Sequence, residues 1–134
     1  MTRGVECTFG GISLDLTRHM NQVVQVDEVS GSVRVQPGIF GPALETYLNH
    51  YGGGYTCGHF PQSFEYSTLG GWIATRGAGQ QSTGYGKIED MVLALRMVTP
   101  QGILRTKEYP RKALGPDINQ ILIGSEGTFG VITE

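Results

Sequence analysis

Apolar and polar residues alternate in three short stretches within the first 36 positions, and this alternation is typical of half-buried strands. The first stretch is residues 12–16. The second and third, residues 24–27 and 32–36, flank a Ser30-Gly31 turn signal and predict a β-hairpin. Pro37-Gly38 is expected to end the second strand of that hairpin.

A helical period follows the hairpin. Pro42 suits a first helical position. Apolar side chains then recur at i, i+3, i+4 and i+7, at Leu44, Tyr47, Leu48 and Tyr51. The glycines at 52–54 predict the end of this helix, because glycine adopts the left-handed C-terminal conformation without strain. Residues 55–67 show no period and predict a polar and aromatic loop.

A second, shorter helix is predicted after Ser67-Thr68, a pair that offers an N-cap. Its inward face is predicted to consist of Leu69, Trp72 and Ile73. Gly70 and Gly71 in its first turn are unusual, because each costs about 1 kcal/mol relative to alanine in a helix. A loop with four glycines, residues 77–86, is predicted to follow.

The second half of the chain predicts paired strands around one more helix. Residues 90–98 are almost continuously apolar, which fits a central strand. A turn at 99–102 would then direct residues 103–106 to pair back onto it. A short helix is predicted within 116–124, with Ile118, Ile121 and Leu122 facing inward, and residues 130–133 form a last strand. This order predicts an α+β fold, a mostly antiparallel sheet flanked by helices.

The composition of the chain excludes several classes of function. A chain of 134 residues is about one domain, and 21 residues are glycine, where average usage gives roughly nine. The net charge of −2 predicts no concentrated basic surface for nucleic acid or an anionic membrane. No apolar stretch is long enough to predict a transmembrane helix. Cys7 and Cys57 lack metal-ligand spacing and are interpreted as unpaired thiols, with a disulfide as the alternative.

Three segments rich in glycine and hydroxyl groups are candidates for binding chemistry. Residues 62–71 place hydroxyls just before a helix start, where unpaired backbone N–H groups and the positive end of the dipole bind phosphate. Residues 75–79 offer one hydroxyl and one cation among small residues. Residues 124–132 place three glycines around a strand entry, where backbone amides can meet a flat ligand. None matches the G-x-G-x-x-G or Walker pattern, which disfavours a nicotinamide-type Rossmann fold and a P-loop fold.

Each segment also has a purely structural interpretation. Residues 62–71 can be an ordinary Ser/Thr N-cap with glycines for close packing. Residues 75–79 can be a flexible loop with a surface arginine, and residues 124–132 a tight turn with a bulge. The residue patterns alone leave both interpretations open for all three segments.

Longer runs resemble the FAD-binding (PCMH-type) domain of the vanillyl-alcohol-oxidase superfamily, at residues 58–72, 75–76, 115–117 and 124–134. Trp72 after the double glycine and the runs at 85–90 and 97–102 resemble the alkyldihydroxyacetonephosphate synthase branch of that superfamily. The resemblance extends from about Ile12 to the end of the chain, and residues 58–76 are its more specific part.

The resemblance implies FAD as a non-covalent cofactor, with its pyrophosphate near residues 62–68. The implied cofactor-binding residues are Gln62, Ser63, Phe64, Glu65, Tyr66, Ser67, Thr68, Thr75, Arg76, Gly77, Ala78, Glu126, Gly127, Thr128, Phe129, Gly130, Val131 and Ile132. The last seven would contact FAD largely through the backbone. No catalytic residue and no metal ligand is assigned within the chain. Some superfamily members attach FAD through His or Cys, for which His59 and Cys57 are the candidates, whereas the synthase branch holds FAD non-covalently.

The resemblance also implies that residues 1–134 are part of an FAD-binding domain, truncated at both ends. The family's first glycine-rich phosphate loop and its C-terminal substrate-binding cap domain, which carries the catalytic residues, would both be absent. Family members often carry Asp where Gln62 stands. The chain alone is therefore expected to bind FAD weakly or not at all and to be inactive.

The expected activity of the parent enzyme is ether-lipid synthesis, in which a fatty alcohol replaces the acyl group of acyl-dihydroxyacetone phosphate without net redox change. Two alternatives stay open: an FAD-linked dehydrogenase or oxidase of D-2-hydroxy acids such as lactate or glycolate, and a non-catalytic domain fragment. The implied partners are a small-molecule substrate bound with the cap domain and a second copy of the parent in a homodimer. The expected compartment is the cytoplasm, or the peroxisome in a eukaryote.

Overall fold

The computed structural model describes residues 9–110, 113 and 115–134. In chain order the described elements are β1 (Val23–Asp27), β2 (Ser32–Val35), α1 (Gly41–His50), α2 (Leu69–Ala74), α3 (Ser82–Tyr85), α4 (Ile88–Met91), β3 (Arg96–Thr99), β4 (Gly102–Arg105), α5 (Ile118–Leu122) and β5 (Val131–Ile132). The strands form two antiparallel sheets, one of β1 and β2 and one in the order β4-β3-β5. This arrangement confirms the predicted α+β fold.

The hairpin of β1 and β2 confirms the prediction from the alternating pattern. Val23 pairs with Val35 and Asp27 with Ser32. Gly31 in the turn has a φ of 63°, which glycine adopts without steric cost.

The prediction of a strand at residues 12–16 is wrong. These residues form no ladder, and the Ile12 side chain is 93% exposed. The chain instead makes local bonds, in which the Thr17 amide donates to the Asp15 carboxylate at 2.8 Å and the Met20 amide donates to the Leu16 carbonyl at 3.0 Å. Alternation predicts a strand only where a neighbouring strand is present, and none is described beside this segment.

The central strand predicted at residues 90–98 is divided in two. Its first residues lie in α4, which begins after Gly86 (φ 89°) and is stabilised where the Lys87 amide donates to the Asp90 carboxylate at 2.9 Å. Residues 92–95 are extended without a ladder, and pairing starts only at Arg96. At the start of the apolar run, the capping interaction therefore favours a helical turn over the predicted strand. The loop predicted at 77–86 likewise contains the single turn α3.

The first helix follows its sequence signals. Leu44 and Leu48 are buried, and Tyr47 at the edge of the apolar face is 42% exposed. Pro42 lies in the first turn of α1. Gly52 and Gly54, both with positive φ, follow its end and confirm the predicted stop.

The face of α5 differs from the prediction. Leu122 is buried, but Ile118 and Ile121 are 41% and 49% exposed. The inward position belongs to Asn119, whose Nδ2 donates to the Leu93 carbonyl at 2.8 Å. A buried amide with a backbone partner sets the face of this helix, and a count of apolar residues does not detect it.

One core connects the two sheets with α1, α2, α4 and α5. Its buried members are Val35, Ile39, Leu44, Leu48, Trp72, Ile73, Ile88, Leu95, Met97, Leu122, Ile123 and Ile132. Trp72 and Ile73 belong to α2, so this short helix is anchored in the core. A cavity of about 730 Å³ separates β2 from residues 92–96, and none of the predicted cofactor-binding residues lines it.

Candidate cofactor-binding site

The three candidate segments all border α2. Residues 62–68 lead into its N-terminal end, and residues 75–78 follow its C-terminal end. The third segment is held at the same C-terminal end, because the Gly124 amide donates to the Ile73 carbonyl at 2.9 Å and the Glu126 amide donates to the Ala74 carbonyl at 3.0 Å. The structure thus brings the third segment to the second, although about fifty residues separate them in sequence.

The N-terminal amides of α2 are all paired within the chain. The first two donate to the carbonyls of Ile39 at 3.0 Å and Pro37 at 2.8 Å. The next amide, that of Gly71, donates to Oγ1 of the N-cap residue Thr68 at 3.4 Å. The predicted N-cap is confirmed. The prediction that the amides at this helix start are unpaired is wrong, because the carbonyls of residues 37 and 39 accept the first two amides and Thr68 accepts the third.

Unpaired amides lie one turn upstream instead. The backbone N–H groups of Gln62, Ser63 and Glu65 donate to no acceptor within the described part of the chain. All three residues are exposed. This stretch is built as successive turns, in which the amides of Tyr66 and Ser67 both donate to the Ser63 carbonyl at 2.9 Å. The donors available to an anion therefore come from the turn rather than from the helix.

The two serine hydroxyls that precede α2 form an internal network. The Ser63 hydroxyl donates to Ser67 Oγ at 3.0 Å, and the Ser67 hydroxyl donates to the Ser63 carbonyl at 2.8 Å. Trp72 Nε1 donates to the same Ser67 Oγ at 2.6 Å. The indole thereby ties the turn to the buried side of α2, so these hydroxyls hold the shape of the segment.

The two glycines of α2 have different surroundings. A Cβ at Gly70 would lie 2.5 Å from Pro37 Cβ and 3.0 Å from the Pro37 carbonyl oxygen. Gly70 is therefore required for packing. A Cβ at Gly71 would meet only Thr68 Oγ1, at 3.4 Å. The packing interpretation thus explains the first glycine and leaves the second unexplained by any contact within the described chain.

Thr68, Gly71 and Thr75 lie at i, i+3 and i+7 and form one open face of α2. Gly71 and Thr75 are exposed and Thr68 is half-buried. The Thr75 hydroxyl donates to the Gly71 carbonyl at 2.8 Å. This open face is a stripe with a hydroxyl at each end and bare backbone in the middle.

The third segment turns sharply where it leaves α2. Glu126 and Gly127 have φ values of 47° and 86°, so successive amides there point in unusual directions. The amides of Gly127 and Phe129 donate to no acceptor within the described residues. A Cβ at Gly127 would contact nothing within 4 Å. These features support the predicted contact through the backbone rather than through side chains.

A buried polar group lies behind α2. The His59 residue is 1% exposed, and its ring packs against Trp72 with centroids 5.0 Å apart and ring planes tilted by 53°. Neither ring nitrogen has a hydrogen-bond partner within the described chain. Burial lowers its pKa, an effect that the carboxylate of Glu89 partly opposes. For Glu89 itself, burial acts to raise the pKa, but the hydrogen bond from Lys87 and the nearby cations hold it below the usual value.

Two buried carboxylates, Glu45 and Glu89, are not among the site residues predicted from the sequence. Glu45 on α1 accepts the Thr56 hydroxyl at 2.9 Å and the Cys57 amide at 2.8 Å, and so fixes the loop before His59. The Glu89 side chain is 8% exposed and lies 2.5 Å from Lys87 Nζ. Glu45 directly follows Leu44 and precedes Leu48 by three positions, which places it beside the buried stripe of α1. This spacing would have been the available signal.

The described residues contain one cysteine thiol, Cys57, and no cluster of metal ligands. Cys57 is unpaired and half-buried, and burial raises the pKa of its thiol. Cys7 lies outside the described residues. Within residues 9–110, 113 and 115–134, no group of three or more His, Cys, Asp or Glu side chains could hold a metal ion. Among the same residues, no helix has the length and apolar character needed to cross a membrane.

A sequence profile of the family described as "FAD binding domain" matches residues 1–107. The chain belongs to the FAD-binding domain family. Its resemblance to the synthase branch is confirmed by an alkyldihydroxyacetonephosphate synthase of Caenorhabditis elegans, which is 46% identical over 92% of this chain and 20% of the relative. This FAD-binding chain therefore spans about a fifth of the length of that curated relative.

The fold comparison agrees with the sequence comparison. A solved structure of alkyldihydroxyacetonephosphate synthase superposes with a TM-score of 0.81 at 46% identity, covering 89% of this chain and 21% of that chain. A D-lactate dehydrogenase (cytochrome) from Saccharomyces cerevisiae mitochondria is 34% identical over 92% of this chain and 21% of the relative. The FAD-binding domain is thus similar to parts of relatives that are named as different enzymes, a synthase and a dehydrogenase.

The residues around α2 fit an FAD. Its pyrophosphate needs hydrogen-bond donors, which the amides of 62, 63 and 65 can supply. Close approach of the dinucleotide needs backbone without side chains, which Gly71 and Gly127 provide. The hydroxyls of Thr68 and Thr75 flank this bare stretch. No basic side chain is needed at the open face for such a contact, because neutral donors can bind phosphate.

Proposed function

We propose that this chain forms part of the FAD-binding domain of a larger flavoenzyme of the alkyldihydroxyacetonephosphate synthase type. The observation that carries the proposal is the 46% identity to a synthase over 89% of the chain, together with a TM-score of 0.81. Such a chain would supply one wall of the cofactor cleft. Substrate recognition and the catalytic residues would come from the remaining four-fifths of a protein of that length.

The proposed cofactor residues divide by role. The turn at 62–68 would hold the pyrophosphate through its unpaired amides, with the network of Ser63, Ser67 and Trp72 keeping that turn in shape. The open face of α2 and residues 75–78 would lie along the dinucleotide. Residues 126–132 would contact it through backbone groups. When bound, FAD supplies an isoalloxazine ring that exchanges electrons or bonds reversibly with a substrate carbon.

The surroundings of His59 and Cys57 support non-covalent attachment. The His59 ring is fully buried against Trp72, so neither ring nitrogen is presented to a flavin. The raised pKa of the Cys57 thiol keeps it protonated, and the thiolate is the nucleophilic form. We expect denaturation of the holoprotein to release free FAD into solution.

A D-2-hydroxy acid dehydrogenase is the second candidate. The 34% identity to a yeast D-lactate dehydrogenase over 92% of the chain favours it as the runner-up. Both enzymes would use the same FAD-binding wall, so the residues of this chain do not separate them. A third candidate, a non-catalytic domain fragment, predicts no flavin in the purified protein.

One experiment separates the three candidates. The full-length protein is purified and its visible spectrum recorded for flavin bands. It is then assayed for exchange of the acyl group of acyl-dihydroxyacetone phosphate with a fatty alcohol, and separately for dye reduction by D-lactate and glycolate. Exchange without dye reduction supports the proposal, dye reduction supports the second candidate, and a colourless protein with neither activity supports the third.

We also propose that the parent enzyme is a homodimer located in the cytoplasm, or in the peroxisome of a eukaryote. The resemblance to the synthase branch is the support for both statements. Sedimentation of the full-length protein and fractionation of the source cells test them directly.

A further inference from the structure

The Arg76 side chain connects the C-terminal end of α2 to α5. Its Nη1 donates to Gln120 Oε1 at 2.8 Å. Its Nη2 donates to the carbonyls of Gln120 at 2.5 Å and Ile123 at 3.0 Å. Carbonyls at the end of a helix lack intrahelical donors and attract a cation. The guanidinium therefore fixes the end of the helix that leads directly into residues 124–132.

The local backbone is shaped for this contact. Arg76 has a φ of 52°, a conformation that non-glycine residues rarely adopt. A Cβ at Gly124 would lie 3.1 Å from both Cβ and Nε of Arg76, so glycine there leaves room for the arginine stem. Glu89 Oε1 lies 3.8 Å from Arg76 Nη1 and balances part of its charge. Strain of this kind persists only where surrounding contacts hold it.

The guanidinium acts beside two backbone hydrogen bonds. The amides of Gly124 and Glu126 donate to the carbonyls of Ile73 and Ala74. Among the described residues, these are the backbone hydrogen bonds that tie the third segment to α2. Charge-assisted hydrogen bonds are roughly twice as strong as neutral ones. Arg76 thus adds charge-assisted hydrogen bonds to Gln120 and Ile123, immediately before the third segment begins.

From this geometry we infer that Arg76 is a positioning residue for FAD binding, whose side chain holds residues 124–132 against α2 while only its backbone faces the cofactor. The inference rests on the proposed function. It requires the shape of arginine and not its charge alone, because a planar guanidinium reaches three acceptors in a fixed geometry and a lysine ammonium does not. Arg76→Lys is therefore the informative substitution.

The test combines cofactor affinity with local hydrogen exchange in the full-length protein. Arg76→Lys is expected to raise the Kd for FAD at least about tenfold. It is also expected to speed exchange of the Gly124 and Glu126 amides and to change the visible circular dichroism of the bound flavin. Exchange within β3 and β4 stays as in the wild type. A merely structural role would lower the stability of the whole fold without this local pattern.

Lys87→Gln is the matched control. Lys87 also contacts Glu89, at 2.5 Å, and among the described residues no hydrogen bond or ion pair joins it to α5. It is expected to leave FAD affinity and the exchange of Gly124 and Glu126 unchanged. If Arg76→Lys folds poorly, Gln120→Ala removes one acceptor and gives the same readouts with a smaller change.

The outcomes distinguish the inference from the proposed function. A wild-type protein that binds no FAD overturns the proposed function and the cofactor part of the inference. Wild-type binding with unchanged FAD affinity or unchanged exchange in Arg76→Lys overturns the inference alone. An equal loss in Lys87→Gln also overturns it, because the effect would then come from the charge balance at Glu89.

Discussion

The packed face and the open face of α2 use neighbouring glycines for different purposes. On the packed face, Gly70 lets the helix approach Pro37, and Trp72 and Ile73 join the core. On the open face, Gly71 leaves bare backbone between two threonines. The two adjacent glycines therefore have different explanations. Gly70 is required by its contact with Pro37, whereas Gly71 faces open space. A glycine pair in a helix start is informative only once the surroundings of each member are known.

The largest expected effect concerns whether the open face is sufficient for cofactor binding. We expect residues 1–134 alone to bind FAD orders of magnitude more weakly than the full-length enzyme. The superfamily resemblance implies a further phosphate loop, and each missing charge-assisted hydrogen bond costs about 1.5–3 kcal/mol. Calorimetric titration of the 134-residue chain with FAD measures this. A submicromolar Kd would show that the wall described here suffices.

The next effect compares the two glycines directly. Gly70→Ala is expected to reduce the free energy of unfolding by about 1–3 kcal/mol, because its Cβ overlaps Pro37. Gly71→Ala is expected to leave stability unchanged or raise it by up to about 1 kcal/mol through helix propensity, while lowering FAD affinity. Urea unfolding and FAD titration of both variants measure this. Similar losses of stability in the two variants would contradict the division into two faces.

A smaller effect is expected at the junction of the two faces. Thr68→Val removes the N-cap acceptor of the Gly71 amide and is expected to cost about 1 kcal/mol of stability. It is also expected to weaken FAD binding by about 1–3 kcal/mol in the full-length enzyme. Thr68→Ser keeps the hydroxyl and serves as the control, retaining both. FAD affinity in Thr68→Val equal to wild type would exclude this side chain from the cofactor site.

The smallest expected effect is a pH dependence of stability, which arises from His59 behind the packed face. His59 is buried, and its ring nitrogens have no hydrogen-bond partner among the described residues. Burial holds its pKa below the usual value of 6.5, so the unfolded chain binds the proton more readily. Stability from this group is fully present above pH 6.5 and is lost as the pH falls below that value towards the folded pKa. His59→Phe is expected to flatten this slope. Urea unfolding at several pH values measures it, and an equal slope in both proteins would contradict the assignment.

The region of Glu89 provides an internal check on that measurement. Its pKa is lowered from 4.5, so its contribution is lost only at more acidic pH. A loss of stability confined to that lower range would therefore identify Glu89 rather than His59 as the titrating group.

Local signals predicted the elements whose partners are close in sequence. The β1-β2 hairpin, the Pro-initiated α1 with its glycine stop and the Thr68 cap all follow from neighbouring residues. Elements that depend on distant partners were predicted less well. Residues 12–16 alternate but have no neighbouring strand, and Asn119 replaces Ile118 on the inward face of α5 because its partner is the Leu93 carbonyl.

The sequence by itself determined the family, the antiparallel α+β fold and the three candidate segments, because glycine runs, caps and motif residues act through local backbone chemistry. Only the tertiary structure decided which glycine is packed and which is open. It also decided that the first amides of α2 are occupied by residues 37–39 and that the Arg76 guanidinium turns towards α5. These outcomes depend on contacts between residues far apart in sequence, and such contacts are created only when the chain folds.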